Sequence, residues 1–294
     1  MIDAHVHLFP DAAGGREWQE VVGFPVERPA TPDDLTARLD AAGIDRAVVL
    51  LFPRSGHRAE RMRAADPGAD AETIRRRVVA DLRAHNAWGC ALARSDARYL
   101  AFVGADASFL DADELTGEIR AGAAAGASGV KILPGAMRMY PDDPRLEPVF
   151  ATCAQLGLPV LSQSGSGGKN QPGPRGPFGA PAGFRPVFAR WPTLSLILAH
   201  LGRGLEDQLL DLAREHPTVH TDTSLRFGSA HDPYDPDEVR GLIRKLGPER
   251  VLFGTNYPMA DPVEYRERFD ALGLTGDEMA MIGEGNAVRL LGLA

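Results

Sequence analysis

The sequence predicts a single (β/α)8 barrel of the TIM class over residues 1–294. Three observations carry that expectation. Eight short apolar runs recur along the chain, stretches of helical periodicity alternate with them, and no shift in composition marks a domain boundary.

The first run, IDAHVHLF (2–9), alternates Ile2, Ala4, Val6 and Leu8 with Asp3, His5 and His7, the period of an extended strand. RAVVLLF (46–52), YLAFVGAD (99–106) and GVKILP (129–134) follow. LPVLSQS (158–164), LSLILAH (194–200), TVHTDTS (218–224) and RVLFGTN (250–256) complete the set. Most are rich in Val, Ile or Leu, as strands buried on both faces are. Helical periodicity marks 33–43, which Thr31 and Pro32 open and Gly43 stops. It returns at 69–93, 111–126, 143–157, 203–216 and 235–247. An open parallel sheet shares this alternation, but eight strands point to closure. Segment 164–182 has turn chemistry throughout. Because it follows the fifth strand, it reads as a loop covering a substrate rather than as a linker.

Composition narrows the function classes. Hydrophobic residues make up 44% and charged residues 24%, ordinary for a globular protein with a sizeable core. A net charge of −8 argues against nucleic acid as a partner. No apolar run approaches the ~20 residues of a membrane span. With no leader before the first strand, the expected location is the cytoplasm. Cys90 and Cys153 match no metal spacing and are expected to be buried thiols. The expected partner is a small-molecule substrate, with a homo-oligomer left open.

In barrels of this class chemistry sits at the C-terminal strand ends. The residues there are His5 and His7, Asp106, Lys131, Gln163, His200, Asp222 and Asn256. His5 and His7 are two apart, so on a strand they face one way, roughly 6.5–7 Å apart. Both imidazoles can then reach one metal ion at about 2.0–2.1 Å. Cations follow several strands: Arg138, Lys169, Arg175, Arg203 and Arg226, of which Arg138 and Arg226 follow most closely. Such a set suits a carboxylate, which arginine grips with paired hydrogen bonds. Trp18, Phe24, Met137, Met139, Tyr140, Phe178 and Phe184 add apolar surface. Together they point to a small, partly apolar or aromatic acid.

IDAHVHLF, GVKILP, LPVLSQSG, LILAHLG, VLFGTNYP and GEGNAVRLLGL, in that order, resemble the amidohydrolase superfamily. Within it they are most similar to the amidohydrolase-2 group of metal-dependent hydrolases and decarboxylases. The resemblance implies His5 and His7 as metal ligands and a functional His200, with Lys131 at the place of a lysine that bridges two metals in some members. It also shows two departures. Gln163 stands where the fifth strand should bring a histidine, and Asn256 stands where the eighth should bring an aspartate. Amides are weak donors beside imidazole, so the implied site is atypical: one divalent ion, zinc first, or none. An amide also has no basicity, so Asn256 cannot take a proton from water.

The leading expectation is hydrolysis or decarboxylation of a small carboxylate-bearing compound. His200 and Asp222 would be the acid–base groups, His200 titrating near its ordinary pKa of roughly 6.5. Lys131, Arg138, Gln163, Arg226 and Asn256 would hold the substrate. Metal-free isomerisation, cyclisation or elimination through His200 is the alternative, and a barrel that only binds a ligand is a third.

Overall fold

The eight apolar runs become eight parallel strands of one sheet in the computed structural model, which describes residues 1–23, 25–51, 55–166, 172–228 and 235–293. The strands are β1 (Ile2–Val6), β2 (Arg46–Leu50), β3 (Tyr99–Gly104), β4 (Gly129–Ile132) and β5 (Val160–Ser162), then β8 (Leu196–Leu198), β9 (Val219–Asp222) and β10 (Val251–Leu252). A small hairpin, β6 (Pro172–Gly173) and β7 (Gly176–Pro177), lies between β5 and β8. Spatial order follows chain order, β1-β2-β3-β4-β5-β8-β9-β10. Ala4 N–H to Phe253 O, Asn256 N–H to His5 O and His7 N–H to Tyr257 O, each 2.8 Å, bring the last strand back to the first. The expected TIM barrel is therefore the fold.

Alternation explains how such short strands hold together. Ile2, Ala4, Val48, Leu50, Phe102, Leu161, Ile197 and Leu252 form one cluster, the barrel interior. Ala47, Val49, Val103, Val130, Val160, Leu196 and Val251 belong to a second cluster with the helices outside. At β1 the register shifts between Asp3 and Val6. That irregularity lets Ala4 fill the interior while Val6 packs outward, so His5 and His7 come at the open end.

Helices at 32–42, 71–95, 112–124, 147–156, 206–215 and 236–246 match the periodic segments. Two further helices, Ala12–Val22 and Ser55–Ala65, lie outside the periodic segments read from the sequence. In the first, Gly14 and Gly15 dilute helix propensity, yet a Cβ on Gly15 would meet Pro29 O at 2.1 Å. Asp11 starts that helix by accepting from Gly14 N–H. Both cysteines are buried and free. No helix of the described residues is long and apolar enough to cross a membrane.

Candidate active site

The C-terminal strand ends gather most of the left-handed non-glycine backbone of the described residues. Among the described residues, six non-glycine residues have positive φ, and five of them follow strands at this end: Arg138, His200, Leu201, Leu225 and Asn256. Each such conformation costs roughly 1–2 kcal/mol and is held only where packing insists, a pattern typical of functional sites.

Asp222, at the end of β9 and fully buried, is the hub. Its Oδ2 accepts from His5 Nδ1–H at 2.8 Å. Its Oδ1 accepts from the backbone N–H of His200 at 3.0 Å, from that of Ser224 at 3.1 Å, and from the Ser224 hydroxyl. Burial alone would raise this carboxyl, but His5, His200 and Ser224 outweigh it and hold Asp222 below the usual carboxylate range. Ser224 Oγ also lies 2.7 Å from His200 Nδ1 and 3.1 Å from His5 Nδ1. The His5 ring is flanked by His200 at 5.1 Å and His7 at 5.2 Å between centroids. Gly254 makes room for this: a Cβ there would sit 2.9 Å from His5 Cβ.

The network assigns the imidazole protons. His7 Nδ1 faces Leu50 O at 3.1 Å and must donate. Nδ1 of His5 faces a carboxylate, and that of His200 faces the Ser224 carbonyl at 3.2 Å as well as its hydroxyl, so both donate too. All three rings therefore carry their unprotonated lone pair on Nε2. Burial lowers all three pKa values, His200 to about 3; His5 repels charge on His7 and His200, Lys131 adds to the effect on all three, and Asp222 pulls His5 and His200 the other way without reversing it. The expected titration of His200 near 6.5 does not hold, because a fully buried imidazole among other cationic groups is costly to charge.

The remaining residues lie at varying distance from this hub. Lys131 is only 2% exposed on β4 and, among the described residues, bonds to neither Asp106 nor Asp222. Asp106 instead accepts from Ser108 N–H at 2.9 Å. Burial pushes the Lys131 ammonium down to about 7, against the pull of Asp222. Asn256 is buried, its Nδ2 bonding Met259 Sδ at 3.0 Å, while Oδ1 has no partner among the described residues. Gln163 is half-buried, with no described hydrogen bond from its side chain. Arg226 pairs with Glu206 at 2.8 Å, and its buried Nε has no partner among the described residues. Arg138 is exposed at the end of a short helix, outside the buried cluster.

Of the apolar residues, Trp18 lies on His7, 4.6 Å between centroids. Phe184 belongs to the main core, and Phe178 packs on Tyr140. Arg175 is tied to Asp142 by two 2.7 Å bonds and stacks on Tyr140, which pins the hairpin after β5. Phe24, Lys169 and part of the 164–182 segment lie outside the described residues. Ser224 was not legible in the sequence: TDTSL offers no signal beyond its place two residues after Asp222.

His5, His200 and Asp222 bring their ligand atoms within 4.8 Å of one another. A buried, ionised carboxylate among neutral imidazoles suits a divalent cation by charge, and since Asp222 already accepts from four donors, the lone pairs left for an ion are those of the histidine Nε2 atoms. The hydrogen bonds within this group are those of carboxylate–histidine pairs that orient metal-binding rings.

The amidohydrolase family model matches residues 2–293. The chain belongs to that family. A curated relative, gamma-resorcylate decarboxylase of Rhodococcus jostii, is 26% identical over 189 residues, 54% of this chain. The chain spans 57% of that relative's length. Among solved structures, 2,6-dihydroxybenzoate decarboxylase from Rhizobium superposes with a TM-score of 0.72 at 20% identity, covering 99% of this chain and 98% of its own. A dihydroxybenzoic acid decarboxylase from Polaromonas, solved with manganese and the inhibitor 2-nitroresorcinol, gives 0.71 at 18% identity, covering 99% of this chain and 96% of its own. The named relatives of this amidohydrolase are enzymes, mainly decarboxylases, and one of them holds a metal.

Asn256 offers a direct check on the metal. Asn256→Asp should bind zinc more tightly than the parent, because a carboxylate adds charge and a stronger oxygen donor. Titration of both dialysed proteins measures this, and equal affinity would mean that residue 256 does not face the ion.

Proposed function

We propose that this amidohydrolase is a lyase that removes carbon dioxide from a small hydroxylated aromatic carboxylic acid, assisted by a divalent ion. The observation that carries the reading is Asn256 at the end of the last strand, an amide where a hydrolase of this family brings a carboxylate. Hydrolysis needs a group to take a proton from water, and Asn256 has none of a carboxylate's basicity. Asp222 is ionised but saturated by four donors. Decarboxylation requires no such activation of water. The names of the similar proteins point the same way.

In this reading Lys131 holds the substrate carboxylate inside the barrel, while Gln163 and Asn256 Oδ1 take its hydroxyl groups. Arg138 adds positive charge around the opening, and Arg226, its charge paired with Glu206, would offer a substrate its buried Nε–H as a donor. His5 and His7 would hold the ion, with Asp222 fixing the His5 ring. When bound, the ion supplies positive charge that polarises substrate oxygens. His200 Nε2 accepts the proton of a neighbouring substrate hydroxyl and returns it to the carbon that loses carbon dioxide. The C–C bond breaks with its electron pair left on that carbon, and solvent restores the hydroxyl proton.

A panel of hydroxylated aromatic acids, with matched esters and lactones, tests the reaction type. Carbon dioxide release from an acid is expected. Cleavage of an ester or lactone with no carbon dioxide from any acid would overturn the reading in favour of hydrolysis.

A further inference from the structure

The Ser224 hydroxyl is fully buried and has every hydrogen-bonding capacity used. It owns one proton, and Asp222 Oδ1, an ionised acceptor, takes it. Its two lone pairs then face His200 Nδ1 at 2.7 Å and His5 Nδ1 at 3.1 Å. Either imidazole in the other tautomer would set a lone pair against a lone pair. The Ser224 carbonyl, 3.2 Å from His200 Nδ1, adds the same constraint. Serine, histidine and aspartate together resemble a hydrolytic triad, but the order is wrong. Here the serine lies between carboxylate and imidazole and gives its proton to the carboxylate, so it is no nucleophile.

We infer that Ser224 is a positioning residue, which locks His5 and His200 together in the Nδ1–H form and so turns both Nε2 lone pairs to the reacting side. His5 has a second lock in Asp222 Oδ2 at 2.8 Å, whereas the second lock on His200 is the longer contact to the Ser224 carbonyl at 3.2 Å, which an alanine keeps. Loss of the hydroxyl leaves each ring its second lock only, and His200, with the longer bond to a neutral acceptor, should loosen first. The inference uses the proposed role of His200 only for its effect on turnover; the tautomer itself stands apart from it.

Long-range proton–nitrogen correlation spectra of the full chain, with histidine labelled by nitrogen-15, read the tautomer directly. In the parent, the His200 signal, identified by its loss in His200→Asn, should show a protonated Nδ1 and an unprotonated Nε2. In Ser224→Ala it should become a mixture of tautomers while the His5 signal holds, and Ser224→Thr should restore it. Carbon dioxide release should fall about 10–100-fold in Ser224→Ala and recover in the threonine variant, the usual range for groups that orient a functional imidazole. A parent His200 protonated on Nε2 overturns the inference without any variant, whatever Ser224→Ala does to folding. So does a folded Ser224→Ala protein with the parent's tautomers. A tautomer shift with no carbon dioxide release from any protein would sustain the inference and count against the proposed reaction.

Discussion

Asp222→Asn should weaken divalent-ion binding by about 10–100-fold, the usual cost of removing a carboxylate that orients a metal-binding imidazole. Asp222 accepts from four donors, and an amide offers one acceptor oxygen and one donor nitrogen in the same space. Whichever way the amide turns, donors face donors: either the His200 and Ser224 N–H groups, or His5 Nδ1–H. The cheapest relief is for His5 to move its proton to Nε2, which removes the lone pair that a metal needs. Asp222→Ala should act more broadly. It leaves those donors buried without an acceptor, and each unsatisfied buried donor costs about 1–3 kcal/mol. The alanine protein should therefore show a clear fall in Tm, and the asparagine protein a smaller one with a similar loss of metal. Isothermal titration with zinc, alongside thermal unfolding, separates the two. Parent-like zinc affinity in Asp222→Asn would show that the carboxylate plays no part in holding the ion.

His200→Asn should lower kcat by about 10²–10⁴-fold, the range for a positioned acid–base group, with KM little changed. Asparagine is the informative replacement because His200 has φ +68°, which asparagine tolerates better than most residues. Its amide can also still donate to Ser224. The pH profile should carry a signature. With a pKa near 3, His200 is already neutral throughout the working range, so it contributes no change near 6.5. Lys131 is charged below about 7 and loses that charge as the pH rises through it. Binding of a carboxylate substrate should accordingly weaken as pH rises through about 7, read as an increase in KM. A parent-like kcat in His200→Asn would move the acid–base role elsewhere.

The barrel was legible because eight strands with both faces buried leave continuous apolar runs, and the helix 71–95 because its cap and periodicity are strong. The helix Ala12–Val22 was not, since its order comes from packing rather than propensity; Trp18 on that helix reaches His7. His5, His200 and Asp222 could be named as strand-end residues. Their joining through Ser224 depends on a register shift in β1 and on left-handed backbone at His200 and Leu225, neither of which has a sequence signature. Arg138 could be named from its closeness to a strand end, but its exposure could not, since that follows from the left-handed turn that ends its short helix. The His200 pKa was misjudged for a related reason, since burial is a property of the fold and not of the motif.

The most direct test of a metal-assisted decarboxylase is to follow carbon dioxide release from its best acid substrate before and after chelation, then after reloading with zinc or manganese. Release should fall on chelation and return with the metal, while the barrel stays folded by circular dichroism. Unchanged release from protein shown by elemental analysis to be metal-free would contradict a role for the metal.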